Sequence, residues 1–305
     1  MSRAGAIAGL LFAAAGCGRE PGGAGEPKSA EASVAEGLAY LSEGNSDAAI
    51  QRLSEALRVA PGSGPARLHR GKAYLARGDL ALAEVDLREA ARSPKEGAEA
   101  LYTLGLLAVR RKDNERAVEA FTECLAKDGG FLKAYVNRSA AYFQLGRIAP
   151  AIEDCDRTLA LDPYNASILV NRGIYWSEIG ERTKAKADWD AAVKSNPQFP
   201  GSYFSRGVDH GLHQEYAEAV ADLSRTLELD PHHRAARRNR ALAYEALEDH
   251  ERALADLDEL VRQEPGAASL LLDRSKCLRA LGRIAEADAD AERARALDPA
   301  SSPSR

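Results

Sequence analysis

The sequence predicts an all-α protein, a right-handed α-solenoid of eight helix-turn-helix repeats, and three periodic features carry that expectation. Counting in steps of 34 from Ala30, position 20 of every repeat is alanine: Ala49, Ala83, Ala117, Ala151, Ala185, Ala219, Ala253 and Ala287. Alanine makes up about a fifth of the chain, so eight matches in one register would arise by chance roughly three times in a million. Position 8 is also small throughout, as Gly37, Gly71, Gly105, Ser139, Gly173, Gly207, Ala241 and Ser275. Two small positions at fixed spacing let two helix axes approach closely. Punctuation supplies the third feature. Pro61, Pro163, Pro197, Pro231, Pro265 and Pro299 fall at position 32, where they end a second helix. Gly44, Gly78, Gly146, Gly180 and Gly282 fall at position 15, where a first helix needs a left-handed residue.

Taken in order, the chain begins with a segment outside the repeats. Residues 1–16 place Arg3 before an apolar run from Ala4 to Ala15 containing Ile7, Leu10, Leu11 and Phe12, the layout of a secretory signal. Twelve residues at helical rise cover roughly 18 Å, short of the ~30 Å hydrocarbon core, so a permanent spanning helix is disfavoured. The run ends Ala14-Ala15-Gly16-Cys17, which resembles the bacterial lipobox, except that leucine is usual at the position of Ala14. That resemblance implies acylation of Cys17. Ordinary cleavage after Ala15 and a cytosolic protein with a chance apolar start are the alternatives. Residues 17–29 then form a lipidated cysteine and a Gly/Pro-rich flexible tether.

Residues 30–301 hold the eight repeats, and 302–305 a short tail. The period of 34, the small residues at positions 8 and 20, Tyr40, Tyr74, Tyr142 and Tyr244 at position 11, and proline at 32 resemble the tetratricopeptide repeat, without an insertion.

Comparing the repeats with one another exposes a charge rule. Positions 7 and 23 carry Arg70 with Asp86, Arg138 with Asp154, Arg172 with Asp188, Arg206 with Asp222, Arg240 with Asp256 and Arg274 with Asp290. The first repeat swaps the signs, Glu36 with Arg52, and the third is apolar, Leu104 with Ala120. The pattern predicts an ion pair joining the two helices of each repeat, setting register more than adding net stability. In the last repeat position 24, large in most others, shrinks to Ala291 amid Asp288, Asp290, Glu292, Arg293 and Arg295, so its second helix is expected to face water.

Composition narrows the function classes. The chain has 305 residues, 45% apolar and 29% charged, with a net charge of −5. The acidic excess offers no general attraction to nucleic acid. Cys124, Cys155 and Cys277 fall at interior positions without metal spacing and read as buried thiols, a Cys124–Cys155 disulfide being a minor option. His210, His213, His232 and His233 could mimic a metal cluster, but His210 takes the aromatic site at position 11, so a structural role is expected. No HExxH, GxSxG or phosphate-cradling loop is present, so no enzyme activity and no cofactor are expected.

The resemblance implies a protein-binding scaffold whose concave groove is lined by first-helix positions 2, 5, 9, 12 and 13. Those positions, with the adjoining position 6, give a candidate peptide-binding set: Tyr102, Leu106, Val136, Asn137, Phe143, Val170, Asn171, Ile174, Phe204, Val208, Arg238 and Asn239, with Val109 and Leu212 extending the apolar stripe. Asn137, Asn171 and Asn239, with Ser205, resemble the asparagine ladder that holds a peptide backbone in some superhelical repeat proteins; the alternative is that they brace the helix pair. The chaperone clamp of cytosolic members needs asparagine at position 9, which reads Leu38, Lys72, Leu106, Ala140, Ile174, Val208, Leu242 and Lys276. The basic run from His232 to Arg240 is either an acidic partner's site or a solvated face together with the Arg240 ion pair. The leading expectation is an exported, membrane-tethered adaptor binding a peptide or helical segment. An envelope assembly factor of pilus or secretin type, acting through other faces, and a cytosolic interaction module are the alternatives.

Overall fold

The computed structural model describes residues 29–298. The signal, Cys17, nearly all of the tether, Pro299 and the tail lie outside the described residues. Ser29, assigned to the tether, instead caps the first helix, its Oγ accepting the Ala32 N–H at 3.1 Å.

Sixteen α-helices and no strand occur among the described residues. They are α1 (Ala30–Ser42), α2 (Ser46–Val59), α3 (Gly64–Arg77), α4 (Leu80–Ala90), α5 (Gly97–Arg110), α6 (Asn114–Lys127), α7 (Leu132–Gln144), α8 (Ile148–Leu161), α9 (Ala166–Glu178), α10 (Arg182–Ser195), α11 (Pro200–Leu212), α12 (Tyr216–Leu229), α13 (Arg234–Ala246), α14 (His250–Gln263), α15 (Ala268–Ala280) and α16 (Ile284–Leu297). Every even-numbered helix begins at position 17 of its repeat. Every odd-numbered helix begins at position 1 except α5, which starts one residue early. In the second repeat Lys95 stands where six others have proline, and α4 stops at Ala90 before a run of turns.

The turn between paired helices needs positive φ at position 15. Gly44, Gly78, Gly146, Gly180 and Gly282 supply it at φ between 71° and 98°. Where the sequence lacks glycine, Lys112, Gln214 and Glu248 are forced into the same left-handed region at φ 60°, 64° and 58°.

The described chain divides into two compact bodies, with the boundary between Asp86 and Leu87 inside α4. The first body is built around Ala49, Leu53 and Ala73, with Val34, Tyr40, Leu41 and Ile50 packed on them. The second contains successive clusters centred on Phe121, Trp189, Leu223 and Leu257, each laid down by neighbouring helix pairs.

One rule explains the close pairing in both. Position 24 carries large buried side chains such as Leu53, Phe121 and Trp189, and position 8, sixteen residues earlier on the facing helix, must make room. A Cβ on Gly37 would lie 2.6 Å from Leu53, on Gly105 2.3 Å from Phe121, and on Gly173 2.4 Å from the Trp189 indole nitrogen. All eight alanines at position 20 are fully buried, where a larger group would force the helices apart.

Candidate functional site

The charged positions come first, because they fix the helices that form the groove. Arg138 grips Asp154 with two parallel bonds, Nε to Oδ2 at 2.8 Å and Nη2 to Oδ1 at 2.7 Å. The same bidentate pairing joins Arg70 to Asp86, Arg172 to Asp188, Arg206 to Asp222, Arg240 to Asp256 and Arg274 to Asp290. In the first repeat Arg52 Nε lies 3.4 Å from Glu36. Burial pushes the Asp154 carboxyl above its usual range even with the guanidinium beside it, the sign expected when desolvation outweighs attraction.

The guanidinium has a second partner that the sequence comparison missed. Its Nη1 donates to position 25 of the preceding repeat: Arg70 to Ser54 at 3.1 Å, Arg138 to Thr122 at 2.9 Å, Arg172 to Asp156 at 2.6 Å, Arg206 to Asp190 at 2.7 Å, Arg240 to Ser224 at 3.1 Å and Arg274 to Asp258 at 2.9 Å. Each arginine therefore ties three helices rather than two. A signal was available. Before the third repeat, position 25 is Arg88 rather than an acceptor, and there position 7 is Leu104.

On the groove side the candidate residues separate into two kinds. Val170 is only 7% exposed, inside the cluster around Trp189; it is a core residue and not groove surface, because α9 turns position 5 against the neighbouring pair. Tyr102 packs against Phe121 and Phe131 at centroid distances of 5.8 and 5.0 Å. Phe143 stacks on Tyr175 at 4.7 Å, and Phe204 leans on His233 at 4.5 Å. Val136 and Leu106 are half-buried against the same clusters. Open apolar surface is carried by Val109, Ile174, Leu212 and Leu242. Val208, Leu212 and Leu242 border a cavity of about 180 Å³ together with Gly207, Gly211, Tyr216, Ala219, Leu223, Asn239 and Ala243. Sequence reasoning did not place this cavity.

The asparagine row is partly spent. Asn137 Nδ2 donates to the Lys133 carbonyl of its own helix at 2.8 Å and to the Tyr102 hydroxyl at 3.2 Å; Asn239 Nδ2 donates to the Ala235 carbonyl at 2.9 Å. The basic run is largely neutralised as well. Arg234 pairs with Glu264, Arg237 donates to the Pro231 carbonyl at 2.7 Å, and Arg240 holds Asp256. Arg238, half exposed, has Asp273 at 3.7 Å as its one ion-pair partner among the described residues.

The remaining titratable groups are structural. His210 fills position 11 with its Nδ1 2.5 Å from Glu215, which also receives Arg182 at 2.7 Å. The Arg182 guanidinium, and then His210, hold the Glu215 carboxyl down at about 2. His213 Nδ1 lies 2.8 Å from the Asp209 carbonyl, and His233 Nδ1 accepts the Ala236 N–H at 3.1 Å, capping α13. Cys124, Cys155 and Cys277 are free buried thiols, so the Cys124–Cys155 disulfide is not formed. Burial pushes them up to about 11, 12 and 11. No helix among the described residues is long and apolar enough to cross a membrane.

A tetratricopeptide repeat family model matches residues 34–100, 102–166, 209–268 and 243–302. The chain belongs to the tetratricopeptide repeat family. Such repeats are protein–protein interaction scaffolds and generally non-catalytic. The α9–α10 pair lies between the matched stretches, yet it has the same helix bounds, the same Arg172–Asp188 bond and the same Gly173–Trp189 contact as other tetratricopeptide repeats.

Among solved structures, a tetratricopeptide repeat protein from Parabacteroides merdae superposes with a TM-score of 0.60 at 20% identity, covering 78% of this chain and 94% of its own. PilF of Pseudomonas aeruginosa gives 0.57 at 20% identity, covering 68% and 94%. These likenesses are of fold. In sequence, 55 residues are 36% identical to Hsp70-Hsp90 organizing protein 3 of Arabidopsis thaliana, which is 18% of this chain and 10% of that protein; this chain thus matches about a tenth of its curated relative's length.

Proposed function

We propose that the chain is an exported, lipid-anchored adaptor that holds a peptide or helical segment of another protein along the first helices of its second body. The observation that supports this most is exposed apolar surface on that face, at Val109, Ile174, Leu212 and Leu242, which are 41%, 36%, 75% and 45% exposed. Side chains that nothing in the fold covers are what a partner's apolar residues would bury. With the nitrogen ends of Asn137 and Asn239 already bonded within the chain, apolar contact carries the binding, and the amide oxygens are left to accept backbone N–H groups. The likeness to the Hsp70-Hsp90 organizing protein does not extend to a chaperone role here, since no asparagine stands at position 9.

A photo-cross-linking residue at Ile174, introduced in the native host, is expected to form an adduct with one partner. That adduct should be lost when Val109 is changed to Asp, while far-ultraviolet circular dichroism stays unchanged. Both sites are exposed, so the fold is spared; Phe143 and Phe204 would not serve, being stacked on Tyr175 and His233. Adducts only from the opposite face, at Arg157, would instead favour an assembly factor of the pilus or secretin type. Anchoring is tested separately: acyl labelling is expected at Cys17 and absent in Cys17→Ser.

A further inference from the structure

The sixth repeat opens a cavity between α11 and α13. Position 12, a groove position, carries a side chain everywhere else, from Ser177 to Phe143, and is glycine only at Gly211. Its absent side chain, with Gly207 one turn earlier, opens the wall, and the floor is Ala219 and Leu223 of α12. At its mouth stand Leu212 and Leu242, 75% and 45% exposed. This recess and the most exposed apolar side chain of the face, Leu212, therefore coincide.

The volume selects the occupant. About 180 Å³ falls below the roughly 300 Å³ of a site for a drug-sized ligand but is close to the ~150 Å³ that accepts a benzene-sized group. One bulky side chain, aromatic or branched aliphatic, fills it. The lining adds a side-chain amide acceptor, and a charge stands one helical turn from Leu242. Asn239 uses its nitrogen on Ala235, leaving its amide oxygen without a bond among the described residues. Arg238 lies four residues before Leu242 on the same face of α13, half exposed and, among the described residues, paired with Asp273 alone at 3.7 Å.

Resting on the adaptor reading above, we infer that this recess is the anchor pocket for a partner segment carrying one bulky apolar residue beside an acidic one, the apolar side chain entering at Gly211 and the carboxylate meeting Arg238.

Gly211 also supplies the test. A Cβ there meets nothing nearer than Ala219 at 3.9 Å, and α11 gains propensity when glycine is replaced. Gly211→Leu therefore fills the pocket without harming the fold. A phage-displayed library of random 12-residue peptides is selected on the full chain, and enriched peptides are titrated by fluorescence anisotropy. The expected consensus is a single Phe, Leu or Ile next to Asp or Glu. Binding should fall at least 10-fold in Gly211→Leu, with an unchanged or raised melting temperature, and about 3- to 10-fold in Arg238→Glu. Enriched peptides that bind Gly211→Leu as well as the parent but are lost in Val109→Asp/Ile174→Asp would overturn the pocket and leave the groove standing. Peptides indifferent to all three variants, or no enrichment, would overturn both.

Discussion

At the scale of single residues, the arginine at position 7 decides most about the assembly of the helices. Asp154 is 3% exposed, so removing Arg138 alone strands a buried carboxylate. Arg138→Leu is expected to cost about 3–5 kcal/mol in urea unfolding. The double variant Arg138→Leu/Asp154→Ala, which copies the native Leu104 and Ala120 of the third repeat, should recover all but about 1 kcal/mol. If the double were as unstable as the single, the pair would be a net source of stability rather than a register device. Glu215 makes a prediction about acid. Its carboxyl is held at about 2 in the fold against an ordinary 4.5. A lowered carboxyl stabilises the fold above its unfolded value, and that contribution is lost as pH falls from about 4.5 through 2. Glu215→Gln should therefore flatten the stability curve in this window and leave its slope above pH 5 unaltered, as followed by chemical denaturation at stepped pH. The alternation of Arg with Asp was legible from the repeats. Its third partner at position 25 was harder to read, because Ser, Thr and Asp share only the capacity to accept a bond.

Among elements, the two helices of a repeat meet where position 8 yields to position 24. Gly173→Ala would gain up to about 1 kcal/mol in helix propensity, yet its Cβ would sit 2.4 Å from the Trp189 ring nitrogen. Overpacking of this kind costs about 1–3 kcal/mol, so the expected net effect is a loss, measurable as a lowered urea midpoint and quenching changes at Trp189. The connecting turn gives the opposite sign. Glu248 pays for a left-handed backbone at φ 58°; Glu248→Gly removes a strain of about 1–2 kcal/mol and adds an entropic penalty of about 0.5–1 kcal/mol. A gain of about 0.5–1 kcal/mol is expected, and a destabilised variant would show that the Glu248 side chain does more than fill a turn. These elements were legible because glycine, proline and alanine act locally. The early end of α4 at Ala90 was not legible in this way: the second repeat has Lys95 where six others have proline, and the helix stops before it is reached.

For the whole molecule, the two bodies obey one packing scheme, and the last described helix departs from it as its composition indicates. In α16 only Ala287, Asp290 and Ala294 are buried, while Asp288, Glu292, Arg293 and Arg295 face outward. The candidate binding face lay less open to sequence reasoning than the fold. Position numbers place a side chain on a helix, but exposure depends on what the next pair lays across it, which is why Val170 is core and Leu212 is surface. In the basic run at α13 the Arg240–Asp256 pair was legible from the repeat pattern, whereas the uptake of Arg234 by Glu264 and of Arg237 by the Pro231 carbonyl depends on side-chain placement. The sequence by itself determined the two helices of each repeat, their close approach at the small positions 8 and 20, and the in-repeat ion pair, because each is a local rule repeated every 34 residues. Only the tertiary structure decided which apolar side chains remain uncovered, which asparagines are already bonded, and that a glycine at one groove position leaves a cavity. Those outcomes depend on the packing of several helices at once, and no single repeat specifies them.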